Sequence, residues 1–493
     1  MSVLFFLLAL SVLFELLIPL CIGRLRRLRF TVSLSAASVL IGCMVLILAV
    51  EVSYATMLVS LLSVYRFCNV ARVLRGRMHE RYLERAVFRT TLWLAGCQAF
   101  VLLFAVAWQQ DYVTSVAAYG VLLALQLLFI AASGITVFGY LRRSRLPDDL
   151  PAASAASLPT VSVVIPARNE SEDLAECITS LLALQYPKLE IIVLDDCSQS
   201  TRTPEIIKSF AHDGVRFIKG SDPKNSWLAK NQAYDNLTEA ANGEYLLFCG
   251  VDVRFAVFSL RRLMTFMRER RLEMICVMPQ NVSGGRLPAL VQPMRYVWEL
   301  ALPRQRRKRP PVLSTCWVIS RKTLIKLGGF QAVARMVVPE AHFAKQLAGR
   351  GSYEFMTSGS ALGVTSVKSL YEQRQTAVRV AYPQLHRRPE MTALVSAVIT
   401  AWFTLPAAAV AQDIYRIGFA LILIASFSLY ALIVRIAYHS IQPLSLLALP
   451  AAAVWYAILI NYSMYKYEFS EVIWKDRNIC LPVMRVEPHL PKI

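Results

Sequence analysis

The stretch VSVVIPARNESEDLAECITSLLALQYPKLEIIVLDDCS, residues 161–198, reads as strand, helix, strand. Its first apolar run breaks at Pro166, a helix-like run follows over 171–186, and a second apolar run, LEIIVLDDCS, occupies 189–198. Unbroken apolar strands alternating with helices predict a parallel sheet in an α/β fold, covered on both faces. A third unit repeats the pattern: Val215 to Lys219, then Trp227 to Lys230, a helix-like run to Ala241, and the strand EYLLFCGVDVRF at 244–255. Such sheets bind ligands outside the carboxyl ends of their strands. Arg168, Asn169 and Glu170, then Asp195 and Asp196, then Asp252 all stand at that edge. Each alone reads as a turn or cap residue; together they favour a nucleotide-diphosphate site.

Working outward, the chain is too apolar to be wholly soluble, with 493 residues of which 56% are hydrophobic. Runs near the length of about 20 residues needed to cross a bilayer occur at 2–22, 31–50, 90–108, 113–139, 391–411, 414–434 and 442–462, with a shorter one at 52–65. The positive-inside rule puts Arg24 to Arg29, the loop from Arg66 to Arg89, and Arg142, Arg143 and Arg145 in the cytoplasm. Five amino-terminal helices with the N-terminus outside satisfy all three. The expected organisation is membrane helices over 1–145, a Pro/Ala/Ser linker at 146–159, a cytoplasmic domain over 160–388, membrane or interfacial helices over 389–464, and a tail over 465–493. That describes a multi-pass cell-membrane protein whose domain faces the cytoplasm.

The net charge of +20 sits partly in RRLMTFMRERR (261–271) and RQRRKR (304–309). Beside membrane helices, such clusters meet anionic lipid headgroups, and without interleaved aromatics on a recognisable module they do not predict nucleic acid. The segment ALVQPMRYVWELAL (289–302), preceding RQRRKR, has interfacial character. The ten cysteines form no CxxC pair, which argues against a disulfide framework or a zinc site.

These residues resemble the inverting family-2 glycosyltransferases of GT-A fold over about 160–380. The resemblance rests on VSVVIPARNE, on VLDDCS, on NSWLAKNQA (225–233) and on the strand ending at Asp252. The tail VIWKDRNICLP (472–482) is similar to membrane members associated with carotenoid and hopanoid glycosylation. The resemblance implies a sugar passing from a nucleotide-sugar donor to a lipid or lipid-like acceptor. It implies Arg168, Glu170, Asp195, Asp196 and Lys230 as nucleotide-sugar-binding residues, with Glu170 and Asp195 or Asp196 on base and ribose and Lys230 near the leaving group. Asp252 would ligate Mg²⁺ or Mn²⁺.

Two departures stand out. The first acid of the D-x-D pair is Gly250, and in VVPEAHFAKQLAGRG (337–351) the expected catalytic Asp is Ala341. Glu340 and His342 are then the candidate bases. His342 lies about 200° around the helix from Glu340, so Glu340 is the first choice. The Gln-x-x-Arg-Trp element of processive members is absent; SLYEQRQTAVRV (369–380) offers Gln373 and Arg374 without the Trp. The alternative function is a catalytically weakened homologue serving as a membrane scaffold or nucleotide-binding partner. If WKDRN (474–478) stands beside the site, the tail is cytoplasmic and the last helices cross an even number of times. The first of the three apolar runs, interrupted by Pro406, is the one expected to be interfacial.

Overall fold

The computed structural model describes residues 115–144, 157–224, 227–282, 292–302, 310–385, 387–411, 413, 415–438 and 447–479. The expected spans at 2–22, 31–50, 52–65 and 90–108 lie outside the described residues, as do most of the linker and RQRRKR. Residues 123–483 form one compact unit.

The strands, in chain order, are β1 (Val161–Ala167), β2 (Leu189–Asp195), β3 (Val215–Lys219), β4 (Tyr245–Cys249), β5 (Val253–Phe255), β6 (Met274–Met278), β7 (Gln280–Asn281), β8 (Cys316–Ser320), β9 (Tyr353–Thr357), β10 (Val364–Ser366), β11 (Ile473–Trp474) and β12 (Arg477–Asn478). Seven make one sheet in the order β3-β2-β1-β4-β8-β6-β9, and β5-β10-β7 make a second. The first four are mutually parallel, as the alternation predicts. The expectation of a wholly parallel sheet is corrected by β8, which runs antiparallel between β4 and β6.

The apolar runs are unbroken because both faces of the sheet are covered. Val163, Ile165, Val193, Leu247 and Cys249 join one core with α2 (Glu172–Leu182) and α5 (Ser259–Glu269). Val164, Ile192, Leu194, Leu246 and Phe248 join the other with α4 (Ala229–Ala240) and α6 (Glu340–Ala348). Helix α3 (Arg202–Ser209) follows β2. The basic segment 261–271 is largely α5, whose apolar face is core; its Arg262 and Arg268 donate to the carbonyls of Ala361 and Ser157.

Four long helices complete the unit: α1 (Ser115–Arg143), α8 (Pro389–Ala411), α9 (Arg416–Ala437) and α10 (Leu449–Phe469), with α7 (Leu370–Gln384) leading from the domain into α8. Val116–Arg143, Met391–Ala411 and Arg416–Ala437 are long and apolar enough to cross a membrane. The run containing Pro406 is one of these candidates by length and composition, and α10 does not reach the measure over its described residues, the start of the expected run at 442–462 lying outside them. Helix α10 instead buries Ala452, Ala453, Tyr456, Leu459, Ile460, Ser463 and Tyr467, a three-and-four spacing typical of one helix face. Ser463 accepts from the Tyr382 amide of α7 at 3.1 Å. Where the long helices meet the domain, Arg143 of α1 pairs with Glu354 at 3.8 Å and Asn281 donates to the Ala437 carbonyl at the end of α9 at 3.1 Å.

Candidate functional site

A cavity of about 690 Å³ opens where β1 and β4 end, the edge at which an α/β sheet presents its loops. Asn169 and Glu170 enter it after β1, Cys249 to Asp252 after β4, and Ser314 and Thr315 before β8. Helix α6 contributes Glu340, α4 contributes Lys230, and α7 contributes Glu372 and Arg379.

Asp252, the acid on which the β4 strand ends, is already engaged. Its Oδ2 accepts from the Ser366 hydroxyl at 2.7 Å and its Oδ1 lies 3.5 Å from Lys368 Nζ. Burial pushes this carboxyl up, but Lys368 and the Ser366 hydroxyl outweigh it and hold it below the usual carboxylate range. Gly250 accommodates that arrangement, because a Cβ there would stand 2.7 Å from Asp252 Oδ1. The expected Mg²⁺ or Mn²⁺ site does not fit these residues. One carboxylate paired with an ammonium is a poor hard-cation site, and among the described residues no group of three or more His, Cys, Asp or Glu stands ready for a metal.

Glu340 is wholly buried at the start of α6. Its Oε1 accepts from the Ser314 hydroxyl, while Oε2 has no hydrogen-bond partner. A buried carboxylate oxygen left without a protein partner is rare and calls for a water, a ligand or a catalytic role. Two devices hold it there. Phe343, one turn on, packs into an aromatic group with Trp317, Phe330 and Phe248, the last stacked on Trp317 at 4.0 Å. Asn231, beside Lys230, donates to the carbonyls of Val333, Ala334 and Met336, fixing the segment that feeds α6. His342 does not line the cavity; its Nε2 lies 2.9 Å from Gln346 Nε2, and burial with Lys345 nearby lowers its pKa.

The tail folds over the strand ends as a two-residue hairpin. Trp474 pairs with Arg477 across Lys475 and Asp476, both at positive φ as a tight type I′ turn requires. Lys475 Nζ meets Glu170 at 3.0 Å and Arg477 meets Asp196 at 2.7 Å. Asn169 donates to Asp476 at 2.7 Å. Burial raises the pKa of both Glu170 and Asp196, against the pull of Lys475 and Arg477 respectively. Arg168 donates to the carbonyls of Lys475 and Asp196, each at 2.7 Å, and to that of Cys197. It is a strut tying β1, β2 and the hairpin together.

Of the residues expected to bind the donor, Glu170, Lys230 and Asp252 line the cavity with Glu340, whereas Arg168, Asp195 and Asp196 stand behind the wall. Asp195 accepts the Ser198 amide at 3.2 Å, a loop-closing role. The sequence reading did not single out Lys368, Arg379 or Glu299. The Arg379 guanidinium lies 4.9 Å from the Trp474 ring centre, and that of Arg374 lies 5.8 Å from the Tyr371 ring centre.

Residues 162–328 match the family model described as Glycosyl transferase family 2. Glycosyltransferase AglE of Haloferax volcanii is 33% identical over 101 residues, covering 20% of this chain and 32% of that protein. "Probable glycosyltransferase YdaM" of Bacillus subtilis is 34% identical over 99 residues, covering 19% of this chain and 23% of that protein. The match thus spans a third or less of these relatives. The solved mannosyltransferase PcManGT from Pyrobaculum calidifontis, in complex with GDP-Man and Mn²⁺, is similar at a TM-score of 0.41 and 17% identity, covering 69% of this chain and 97% of that one. The residues matched by the Glycosyl transferase family 2 model build most of the mixed α/β sheet, and its strand ends border the cavity.

Proposed function

We propose that the protein moves a sugar from a nucleotide-sugar donor to a lipid-like acceptor at the cytoplasmic face of a membrane, with inversion at the anomeric carbon. One observation carries the reading. The same cavity that holds Asp252 and Glu340 extends between α7 and α10 to Ala377, Ala381, Gln384 and Tyr456, beside the helices that meet the bilayer. An acceptor hydroxyl borne on an apolar chain enters from that side, while the donor lies over the strand ends.

In this reading the acceptor oxygen forms a bond to the anomeric carbon as the bond from that carbon to the diphosphate oxygen breaks. The diphosphate leaves with the electron pair, and the hydroxyl proton passes to Glu340 Oε2. Glu170 and Asn169, under the hairpin, face the nucleoside. Helices α8 and α9 form an out-and-back pair, with α8 continuing from the domain and α9 returning to it at Asn281. Two crossings leave the hairpin on the domain's side, and α10 lies under the domain at the interface. Arg142 and Arg143 at the domain end of α1 support a cytoplasmic placement.

The scaffold reading draws on Ala341 standing where the family-2 resemblance expects the catalytic acid. Purified protein in lipid nanodiscs, given labelled nucleotide sugars, separates the two. Free nucleotide appearing together with a labelled lipid supports transfer; nucleotide binding with neither product leaves the scaffold.

A further inference from the structure

The cavity wall carries both signs of charge, Glu170, Asp252, Glu340 and Glu372 among its acids, yet two of its cations stand without an ion-pair partner. Lys230 and Arg379 both line it, and among the described residues neither has an acidic partner within ion-pair distance. The Lys230 ammonium lies 5.1 Å from the ring centre of Tyr234, and Arg379 Nε is buried without a hydrogen-bond partner. A cation that lines a cavity without an ion-pair partner is free to meet an anionic ligand. Another cation of the lining, Lys368, sits on Asp252 at 3.5 Å, where the family-2 resemblance expects a metal.

We propose that Lys230 and Arg379, with Lys368, hold the donor's diphosphate directly, in place of a carboxylate-bound divalent ion. This rests on the nucleotide-sugar reading and deepens it. A divalent ion on Asp252 would have to displace Lys368, and Gly250 offers it no second carboxylate there. A diphosphate instead gives Lys230 and Arg379 a direct partner, its oxygens accepting from an ammonium and a guanidinium in charge-assisted hydrogen bonds. Asp252 and Ser366 then act on Lys368, keeping its ammonium in place before the donor arrives. Asp252 is a positioning residue in this arrangement.

The test is nucleoside diphosphate binding to the full-length protein in nanodiscs, using UDP, GDP, ADP and dTDP, each with excess EDTA and with Mn²⁺. The nucleotide that binds is expected to bind equally well in EDTA. Lys230→Gln and Arg379→Gln should each weaken it about tenfold or more, as loss of a hydrogen bond to a charged group does, while Lys230→Arg and Arg379→Lys retain most of the affinity. Binding that vanishes in EDTA and returns with Mn²⁺ overturns the inference and leaves the donor reading standing. So does wild-type affinity in both Gln variants. If no diphosphate binds under either condition, the nucleotide-sugar reading itself fails, and the inference with it.

Discussion

The two walls of the cavity are built differently. One consists of strand ends, Asn169 and Glu170 after β1 and Asp252 after β4, set by a repeating pattern within about 90 residues of chain. The other consists of α7, the 366–368 segment and the tail hairpin, whose partners are up to 307 residues away. The strand-end wall presents Glu170 and Asp252; the distant wall presents Lys368, Arg379 and Lys475 with Glu372 and Asp476. Ion pairs such as Lys368 with Asp252 and Lys475 with Glu170 therefore join segments remote in sequence.

The largest expected effect breaks the chemistry while leaving both walls standing. Glu340→Gln should cut the transfer rate by ~10²–10⁴, the range for removal of a general base, with nucleotide affinity unchanged. A wild-type rate in that variant would remove Glu340 from the mechanism.

Next comes the seam between the walls. Arg477→Ala leaves Asp196 buried without its partner and should destabilise the protein by about 3 kcal/mol, measured by thermal unfolding at neutral pH. The sign with pH follows from burial, which raises the Asp196 pKa in the folded state, and more so once Arg477 is gone. A group with a raised folded pKa disfavours folding when ionised, so the deficit should shrink as pH falls toward 5. An equal deficit at pH 5 and pH 8 would show that the lost contact is packing and not charge.

A gentler probe titrates one cation. Burial, followed by the neighbouring Arg379, lowers the Lys230 pKa to about 8. A diphosphate prefers the protonated form, so affinity should fall as pH rises through about 8, by roughly the tenfold or more attributed to one charged hydrogen bond. Lys230→Arg, which stays charged, should flatten that slope. The smallest effect belongs to His342→Gln. With its side chain outside the cavity, the rate should stay within about twofold and stability within ~0.5 kcal/mol.

The same division decides what the sequence made legible. Strand ends announce themselves because an apolar run stops at a polar residue, and parallel order puts such stops at one edge. Asp252 and Glu170 were found that way, and the helix start at Pro339 led to Glu340. Strand direction is not written in an apolar run, so β8 gave no sign that it reverses between β4 and β6. Arg168 reads like a ligand from its position, yet its guanidinium is consumed by three carbonyls, which only the folded loops reveal. Lys368 and Arg379 sit in a segment whose spacing says helix and nothing about which cavity it borders.

The hairpin at 473–478 is the last of the described elements in chain order, and it closes onto Arg168 and Glu170 near the start of the domain. A ribosome makes some 300 residues between the two. During that interval α8, α9 and α10 must find their places before Lys475 and Arg477 can reach the strand ends. The unfinished chain thus has the cavity with one wall missing. Under the proposed reading, transfer waits until the chain is made through residue 478, and a chain cut short of the hairpin is idle by construction.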